Sequence, residues 1–394
     1  AFMESVLAQL FKERKQDEFV GGMPYYGQRL LGNRRWVGVT LASAFIVYAL
    51  FNVPSQTFNI FTALGMLADT ATGQASGRQS ALYYGIALVL VSSCAWLILG
   101  GIRRVTHWTN RLVPGMAAAF CGLSLLIILL NIAAIPDFFA LVLGGAFAPD
   151  ALFGGSMGIA LAEGVRRGLM SNEAGQGTIT MAAAVADNDH PCEQGFVQAM
   201  GVFFDTLVIC TLTGFIVVLA HLWTGSASSA EWAAASAARL DVYVASVQAL
   251  TPAALDRTLV ILVSTCYALF AFTTLLGMIS FAEISANLIS RSPRFILGIR
   301  VLGSLVFVPF GALTVLAGLE LGNLWAITDL SNILMVYINI PLLLLGAPLV
   351  YRALAHYRAA DGGRFLSATI GVQTTHWVAS EQTHLPDTEE TSPR

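Results

Sequence analysis

Long apolar runs dominate the chain. A helix needs about 20 residues to cross a hydrocarbon layer of about 30 Å, and each of these runs is at least that long. They lack the alternation of apolar and polar positions that marks the strands of an outer-membrane barrel. The pattern therefore predicts membrane-spanning helices over Trp36–Leu67, Ala81–Ile102, Val113–Ala134, Gly195–Leu222, Thr258–Ala282, Phe295–Leu319 and Gly322–Tyr351.

A further apolar stretch, Ala151–Gly164, is too short to cross as a continuous helix. About 16 helical residues reach only about 24 Å. We expect its middle to be unwound, because extended backbone covers more than twice the distance per residue. Gly154, Gly155 and Ser156 lie where that break would fall. Broken helices form substrate sites in secondary transporters, although glycines also suit close helix packing.

Composition and charge agree with a multi-pass membrane protein. Hydrophobic residues make up 56% of the chain and charged residues 11%. Lys and Arg are abundant between Lys12 and Arg35 and scarce around Arg78. The number of Lys and Arg residues continues to alternate between high and low in the later connections between spans. Because cytoplasmic loops carry the excess positive charge, the C-terminus is predicted to be cytoplasmic and the location to be the plasma (inner) membrane. The sequence has no cluster of basic residues interleaved with aromatic residues, so nothing in it indicates nucleic-acid binding.

The chain is predicted to form one transmembrane domain over residues 1–355, followed by a polar cytoplasmic tail over residues 356–394. The opening "AFMESVLAQLF" is apolar for about half a bilayer and is followed directly by basic residues. We interpret it as the inner half of a span in an N-terminally truncated chain. An amphipathic helix on the membrane surface is the alternative.

A polar, glycine-rich stretch, "SNEAGQGT" at 171–178, follows the short apolar segment and the basic pair Arg166 and Arg167. Flexible backbone and a carboxylate at the inner end of a span suit a hinge or inner gate. The predicted gating residues are Asn172, Glu173, Gly175 and Gly177.

Two motifs carry a resemblance to a known family. "RRGLMSNEAGQGT" and the later "HPCEQGFVQAMGVFFDTLVICT" resemble runs of the alanine or glycine:cation symporter family, and "FAFTTLLG" and "WAITDLSNILM" are similar to two further family segments. The resemblance implies a leucine-transporter-like inverted-repeat fold, all-α and here lacking the first core helix. It also implies a secondary active symporter that couples sodium influx to uptake of a small neutral amino acid, alanine or glycine, by alternating access.

The same resemblance implies site residues. Thr273 and Thr274, mid-span in an apolar helix, would bind sodium, although each hydroxyl could instead bond back to its own helix. The substrate would contact Gln56, Thr274, Met278 and the broken sixth core helix. That helix contributes the run Phe153, Gly154, Gly155 and Ser156.

Other residues narrow the function. No Lys or Arg lies mid-span, so a zwitterion fits better than an anion. Asp205 and Asp329 lie inside long runs, where pairing with polar neighbours such as Thr206 is at least as good an explanation as cation binding. The "DNDHP" stretch ending at His190 and Pro191 is predicted to be a solvated turn rather than a metal site.

These features predict no cofactor, no enzyme activity and no resident metal. The predicted partners are a small neutral amino acid, a sodium ion and the lipid bilayer. Two alternatives stay open at the level of sequence: an inactive membrane remnant of such a carrier, and a proton-coupled amino acid carrier.

Overall fold

The computed structural model describes residues 1–15, 18–73, 77–147, 164, 168, 170–220, 239–318, 321–359 and 365–378. Within these residues the protein is an all-α polytopic membrane protein whose spans coincide with the seven predicted runs. Helices long and apolar enough to cross a membrane occupy Arg35–Thr72, Ala81–Leu99, Ile102–Leu130, Pro191–Leu219, Ala253–Ile289, Pro293–Leu316 and Trp325–Ala359. Their outer faces expose large apolar side chains such as Leu88, Leu129 and Leu344, as lipid contact requires.

The elements of the described residues follow a single chain order. In chain order they are α1 Phe2–Leu10, β1 Glu13–Lys15, β2 Glu18–Val20, α2 Met23–Leu30, α3 Arg35–Thr72, α4 Ala81–Leu99, α5 Ile102–Leu130, α6 Ile135–Ala146, α7 Thr178–Val185, α8 Pro191–Phe203, α9 Cys210–Leu219, α10 Arg239–Leu250, α11 Ala253–Ile289, α12 Pro293–Val301, α13 Val308–Leu316 and α14 Leu321–Ala359. A stretch of π-helix, Phe204–Ile209, joins α8 to α9, and a second, Leu302–Phe307, joins α12 to α13. β1 and β2 form an antiparallel hairpin.

Helix α5 begins earlier than the hydropathy pattern predicts. The sequence places its span from Val113, whereas the helix starts at Ile102, directly after Gly101 in a left-handed conformation with φ 83°. The residues from Ile102 to the predicted start at Val113 include many polar side chains. They are still helical, because backbone hydrogen bonding does not require apolar side chains. Ile102 and Val105 are buried while His107 faces outwards.

The core of the bundle is the contact between α3 and α11, which pack along much of their lengths. Helix α13 approaches α3 at Pro54, where a Cβ on Gly311 would lie 2.8 Å from the Pro54 Cα. Only glycine permits that approach, and Pro54 has no backbone N–H to leave unpaired there.

Helix α1 lies inside the bundle. Every residue from Glu4 to Leu10 is buried, which contradicts the surface-helix alternative. Its C-terminal end, the hairpin, the connection after α11 and residues 365–378 together form what we call the basic end. Glu13 there bridges Arg29 and Arg291, at 3.4 and 2.5 Å.

Residues 365–378, which we call the strap, pack against the basic end. Trp377 is 1% exposed, and its Nε1 donates to the Gln9 carbonyl at 2.7 Å. The Lys12 Nζ lies 5.1 Å from the centre of the Trp377 ring and 4.2 Å from that of Phe19, and it donates to the Ala186 carbonyl at 2.8 Å. Burial lowers the pKa of Lys12 to about 8. Residues 379–394 lie outside the described residues.

Candidate functional site

A cavity of about 330 Å³ lies between α3, α11 and α14. Gln56 and Asn59 of α3 face Thr274 of α11 across it, so the structure brings together two of the predicted substrate residues. The remaining lining is Met170, Ser171, Tyr267, Phe270, Ala271 and Trp325. Its volume is near the lower end of the range of about 300–1,000 Å³ for small-molecule sites, which suits a small ligand.

A second cavity of about 460 Å³ holds the other predicted residues of α11. Thr273, Thr274 and Met278 line it together with Glu173 of the glycine-rich stretch. Helix α5 contributes further polar side chains, Thr106, Thr109 and Asn110. Thr274 lines both cavities, which places it where the two adjoin.

The hydroxyls of the threonine pair bond back to their own helix. Thr274 Oγ1 donates to the Phe270 carbonyl at 3.0 Å, and Thr273 Oγ1 donates to the carbonyls of Leu269 and Phe270 at 3.1 and 3.0 Å. A back-bonded hydroxyl uses its hydrogen and keeps its oxygen lone pairs. The arrangement is therefore compatible with cation coordination, since a hard cation needs oxygen lone pairs.

The predicted gating stretch is a turn held by unusual backbone angles. Glu173, Gly175 and Gly177 have φ of 53°, 89° and 90°. Asn172 folds back on the turn, because its Oδ1 accepts from the Ala174 N–H at 3.0 Å. Left-handed backbone at a non-glycine residue such as Glu173 is uncommon and marks a conformation that surrounding contacts impose.

Glu4 of α1 supplies those contacts, and the sequence analysis missed it. Its carboxylate accepts from the N–H groups of Gly175 and Gly177 at 2.9 and 3.1 Å and from Asn339 Nδ2 of α14 at 2.7 Å. Asn339 also donates to the Gly175 carbonyl at 3.0 Å and accepts from the Tyr26 hydroxyl. The available signal was a lone carboxylate in an otherwise apolar half-span.

The π-helical part of the span after α8 meets the start of the same turn. Ser171 Oγ donates to Asp205 Oδ2 at 2.5 Å, and Asn172 Nδ2 donates to Thr206 Oγ1 at 3.2 Å. Asp205 is thus engaged by Ser171, a different partner from the Thr206 suggested by sequence. A π-helical segment often re-aims side chains at functional positions.

His190 is not in a solvated turn, contrary to the sequence prediction. It is 4% exposed, and its Nδ1 accepts from the Cys192 N–H at 3.1 Å, which caps α8. Its Nε2 lies 3.3 Å from His356 Nδ1 of α14. Burial lowers the pKa of His190 to about 4, and the neighbouring His356 contributes. Among the described residues, no group of His, Cys, Asp and Glu side chains is placed to hold a metal ion.

The predicted helix break cannot be placed against the cavities. Phe153, Gly154, Gly155 and Ser156 lie outside the described residues, so their role as substrate ligands stays a prediction. Among the described lining residues of both cavities there is no Lys or Arg.

Apolar spans that enclose cavities lined by a few polar side chains are typical of a multi-pass membrane transporter. The chain belongs to the sodium:alanine symporter family, whose profile matches residues 1–364.

Three relatives of Bacillus subtilis (strain 168) illustrate the family. The uncharacterized transporter YflA is 32% identical over 99% of this chain and 73% of its own length. The putative sodium/proton-dependent alanine carrier protein YrbD is 30% identical over 98% of this chain and 77% of its own length. The probable sodium/glutamine symporter GlnT is 33% identical over 91% and 68%. These relatives are carriers, in agreement with the expectation of a transporter rather than an enzyme.

Proposed function

We propose that this protein is a secondary active symporter that couples sodium influx to the uptake of a small neutral amino acid, alanine or glycine, by alternating access. The observation that carries the proposal is the position of Thr274. Its side chain lines the smaller cavity with Gln56 and the larger cavity with Thr273. An ion bound at the threonine pair therefore lies beside the substrate, and each stabilises the other directly.

The chemistry of the smaller cavity supports the choice of substrate. Gln56 and Asn59 provide amides for the polar ends of an amino acid, while Phe270 and Trp325 provide apolar walls. A zwitterion avoids the cost of burying a net charge, and no Lys or Arg among the described lining residues would pair with an anionic side chain. Met278, which is 3% exposed, borders the larger cavity and limits the space around the ion.

The glycine-rich turn is assigned the role of the inner gate. Asn172, Glu173, Gly175 and Gly177 lie between α1, α14 and the π-helical segment after α8. Left-handed glycines change conformation at low cost, so the turn can release its contacts and open the cavities towards the cytoplasm. The predicted orientation, with the basic end cytoplasmic in the inner membrane, is part of this proposal.

Transport by the purified full-length protein in liposomes tests the function. We expect labelled alanine or glycine to accumulate only with an inward sodium gradient, and the accumulation to vanish when an ionophore collapses that gradient. Glutamine is the comparison substrate, because GlnT is described as a sodium/glutamine symporter. Accumulation driven by a proton gradient without sodium would support the proton-coupled alternative. Uptake indifferent to both gradients would contradict the proposal.

A further inference from the structure

Glu4 is a charged side chain in a place that normally excludes charge. It is 0% exposed, on a helix whose neighbouring residues are mostly apolar. A buried carboxylate is strongly unfavourable unless donors surround it. The groups that donate hydrogen bonds to the Glu4 carboxylate therefore indicate which part of the protein the carboxylate stabilises.

Those donors come mainly from the gating turn. The N–H groups of Gly175 and Gly177 point at opposite oxygens of the carboxylate, and Asn339 Nδ2 adds a third hydrogen bond. Backbone N–H groups turned inwards by left-handed residues form an anion-binding concavity. Gly177 also directly precedes the first residue of α7, where the helix dipole favours negative charge.

The anchored turn bridges the two cavities. Ser171, on one side of the turn, lines the smaller cavity, and Glu173 lines the larger one. Glu173 is only two residues from the Gly175 N–H that Glu4 holds. A shift of the turn therefore moves a wall residue of each cavity at once.

We propose that Glu4 is a positioning residue of the transporter: its carboxylate holds the turn 172–177 closed and thereby sets Ser171 and Glu173 at the two cavities. The proposal rests on the proposed function, because it concerns the inner gate of that transport cycle. Glu4 itself lines neither described cavity and acts through the backbone it binds.

Replacing the charge without changing the size isolates this role. In Glu4→Gln, one carboxylate oxygen becomes an NH₂ group, which donates and cannot accept the N–H groups directed at it. Glu193→Gln is the matched control, because the Glu193 carboxylate also accepts a backbone N–H, that of Asp189 at 3.2 Å, outside the gating turn.

Hydrogen exchange measured by mass spectrometry on the full chain in nanodiscs tests the anchor without any transport assay. We expect exchange of a peptide covering residues 170–180 to be faster by about tenfold or more in Glu4→Gln, the factor implied by losing a hydrogen bond to a charged group. Glu193→Gln should leave that peptide unchanged. Equal exchange in Glu4→Gln and the unmodified protein would overturn the proposal.

Uptake then separates positioning from a merely structural role. We expect Glu4→Gln to lower the maximal rate of sodium-driven uptake by about tenfold or more, with unchanged exchange in the spans α3 and α11. If Glu4→Gln does not fold, Tyr26→Phe removes the hydroxyl that supports Asn339, and we expect the same changes at smaller size. The turn could exchange faster in Glu4→Gln while the unmodified protein transports nothing. That result would refute the proposed function but support the role of Glu4 in holding the turn. Normal turn exchange in Tyr26→Phe would overturn the anchor.

Discussion

Thr274 is the residue on which the proposed ion and substrate sites meet. It lines both cavities, and its hydroxyl hydrogen is already used on the Phe270 carbonyl, so its oxygen lone pairs are what it offers to an ion. The neighbouring Thr273 lines only the larger of the two described cavities. Among the described lining residues, Thr274 is therefore the one side chain that the proposed ion site and the proposed substrate site would share.

Removal of that oxygen should impair coupling. We expect Thr274→Val to lower sodium-driven alanine uptake by about tenfold or more and to raise the sodium concentration for half-maximal uptake. Thr265→Val is the matched control, because Thr265 on the same helix makes the same kind of back-bond, to the Ile261 carbonyl at 2.7 Å, but lines neither cavity. Unchanged sodium dependence in Thr274→Val would remove Thr274 from the ion site.

His190 should make the strap sensitive to acid, because its ring packs against that of Phe365, with the ring centroids 4.6 Å apart. Its folded-state pKa of about 4 lies below the ordinary histidine pKa of 6.5, so the unfolded or released form binds an extra proton between these two pH values. The stability that neutral His190 contributes is present above pH 6.5 and is lost as the pH falls towards 4. Protonation removes the Nδ1 lone pair that caps α8.

Hydrogen exchange in the strap at pH 7 and pH 5 checks this dependence. We expect faster exchange of residues 365–378 at pH 5, after correction for intrinsic exchange rates. His190→Asn should abolish the difference, because asparagine caps helices well and does not titrate. His107→Asn, at an exposed position, should keep it. A pH difference that persists in His190→Asn would assign the effect to another group.

At the scale of elements, Trp377 anchors the C-terminal part of the strap, while Phe365 is buried at its start. Trp377 covers Lys12 and bonds to Gln9, and within the strap Ser367 Oγ donates to the Trp377 carbonyl at 2.9 Å. Truncating a buried tryptophan removes about 3–5 kcal/mol. That amount is large compared with the about 0.5–1.5 kcal/mol of a single hydrogen bond, such as the 3.3 Å bond from Thr375 Oγ1 to the Lys12 carbonyl.

We therefore expect Trp377→Ala to release the strap while leaving the spans folded. Limited proteolysis from the basic side should cleave residues 365–378 faster, and the melting temperature of the bundle should change little, because the spans keep their contacts. Trp36→Ala is the control, since Trp36 is 65% exposed on α3. A strap that resists protease equally in both variants would show that Trp377 does not hold it.

At the scale of the whole molecule, the distribution of Lys and Arg predicts the orientation in the membrane. The two ends of α3, at Arg34 and Ala71, are separated by more than one bilayer thickness, since 38 helical residues extend about 57 Å. We expect a membrane-impermeant maleimide to label Ala71→Cys on intact cells and Arg34→Cys only after permeabilisation, in a background without the native cysteines. The reverse pattern would invert the predicted topology.

Sequence predicted local features better than distant ones. The seven spans followed from apolar runs, and Gln56 and Thr274 share a cavity as the resemblance implied. Glu4 was missed because its partners lie 171 and more residues away, and no local pattern encodes such a contact. The packing of Trp377 was missed for the same reason: its partners Gln9 and Lys12 lie more than 360 residues away in the chain.

The match to the family profile ends at residue 364, and the strap begins at the next residue. Shortening the gene at that boundary, as is common when a membrane protein is prepared for purification, would leave the aromatic face of Phe19 uncovered and the Lys12 ammonium open to water. A chain shortened there would thus differ at the surface of the basic end, even with every span intact. An affinity tag placed well after the strap would leave the contacts of Trp377 unchanged.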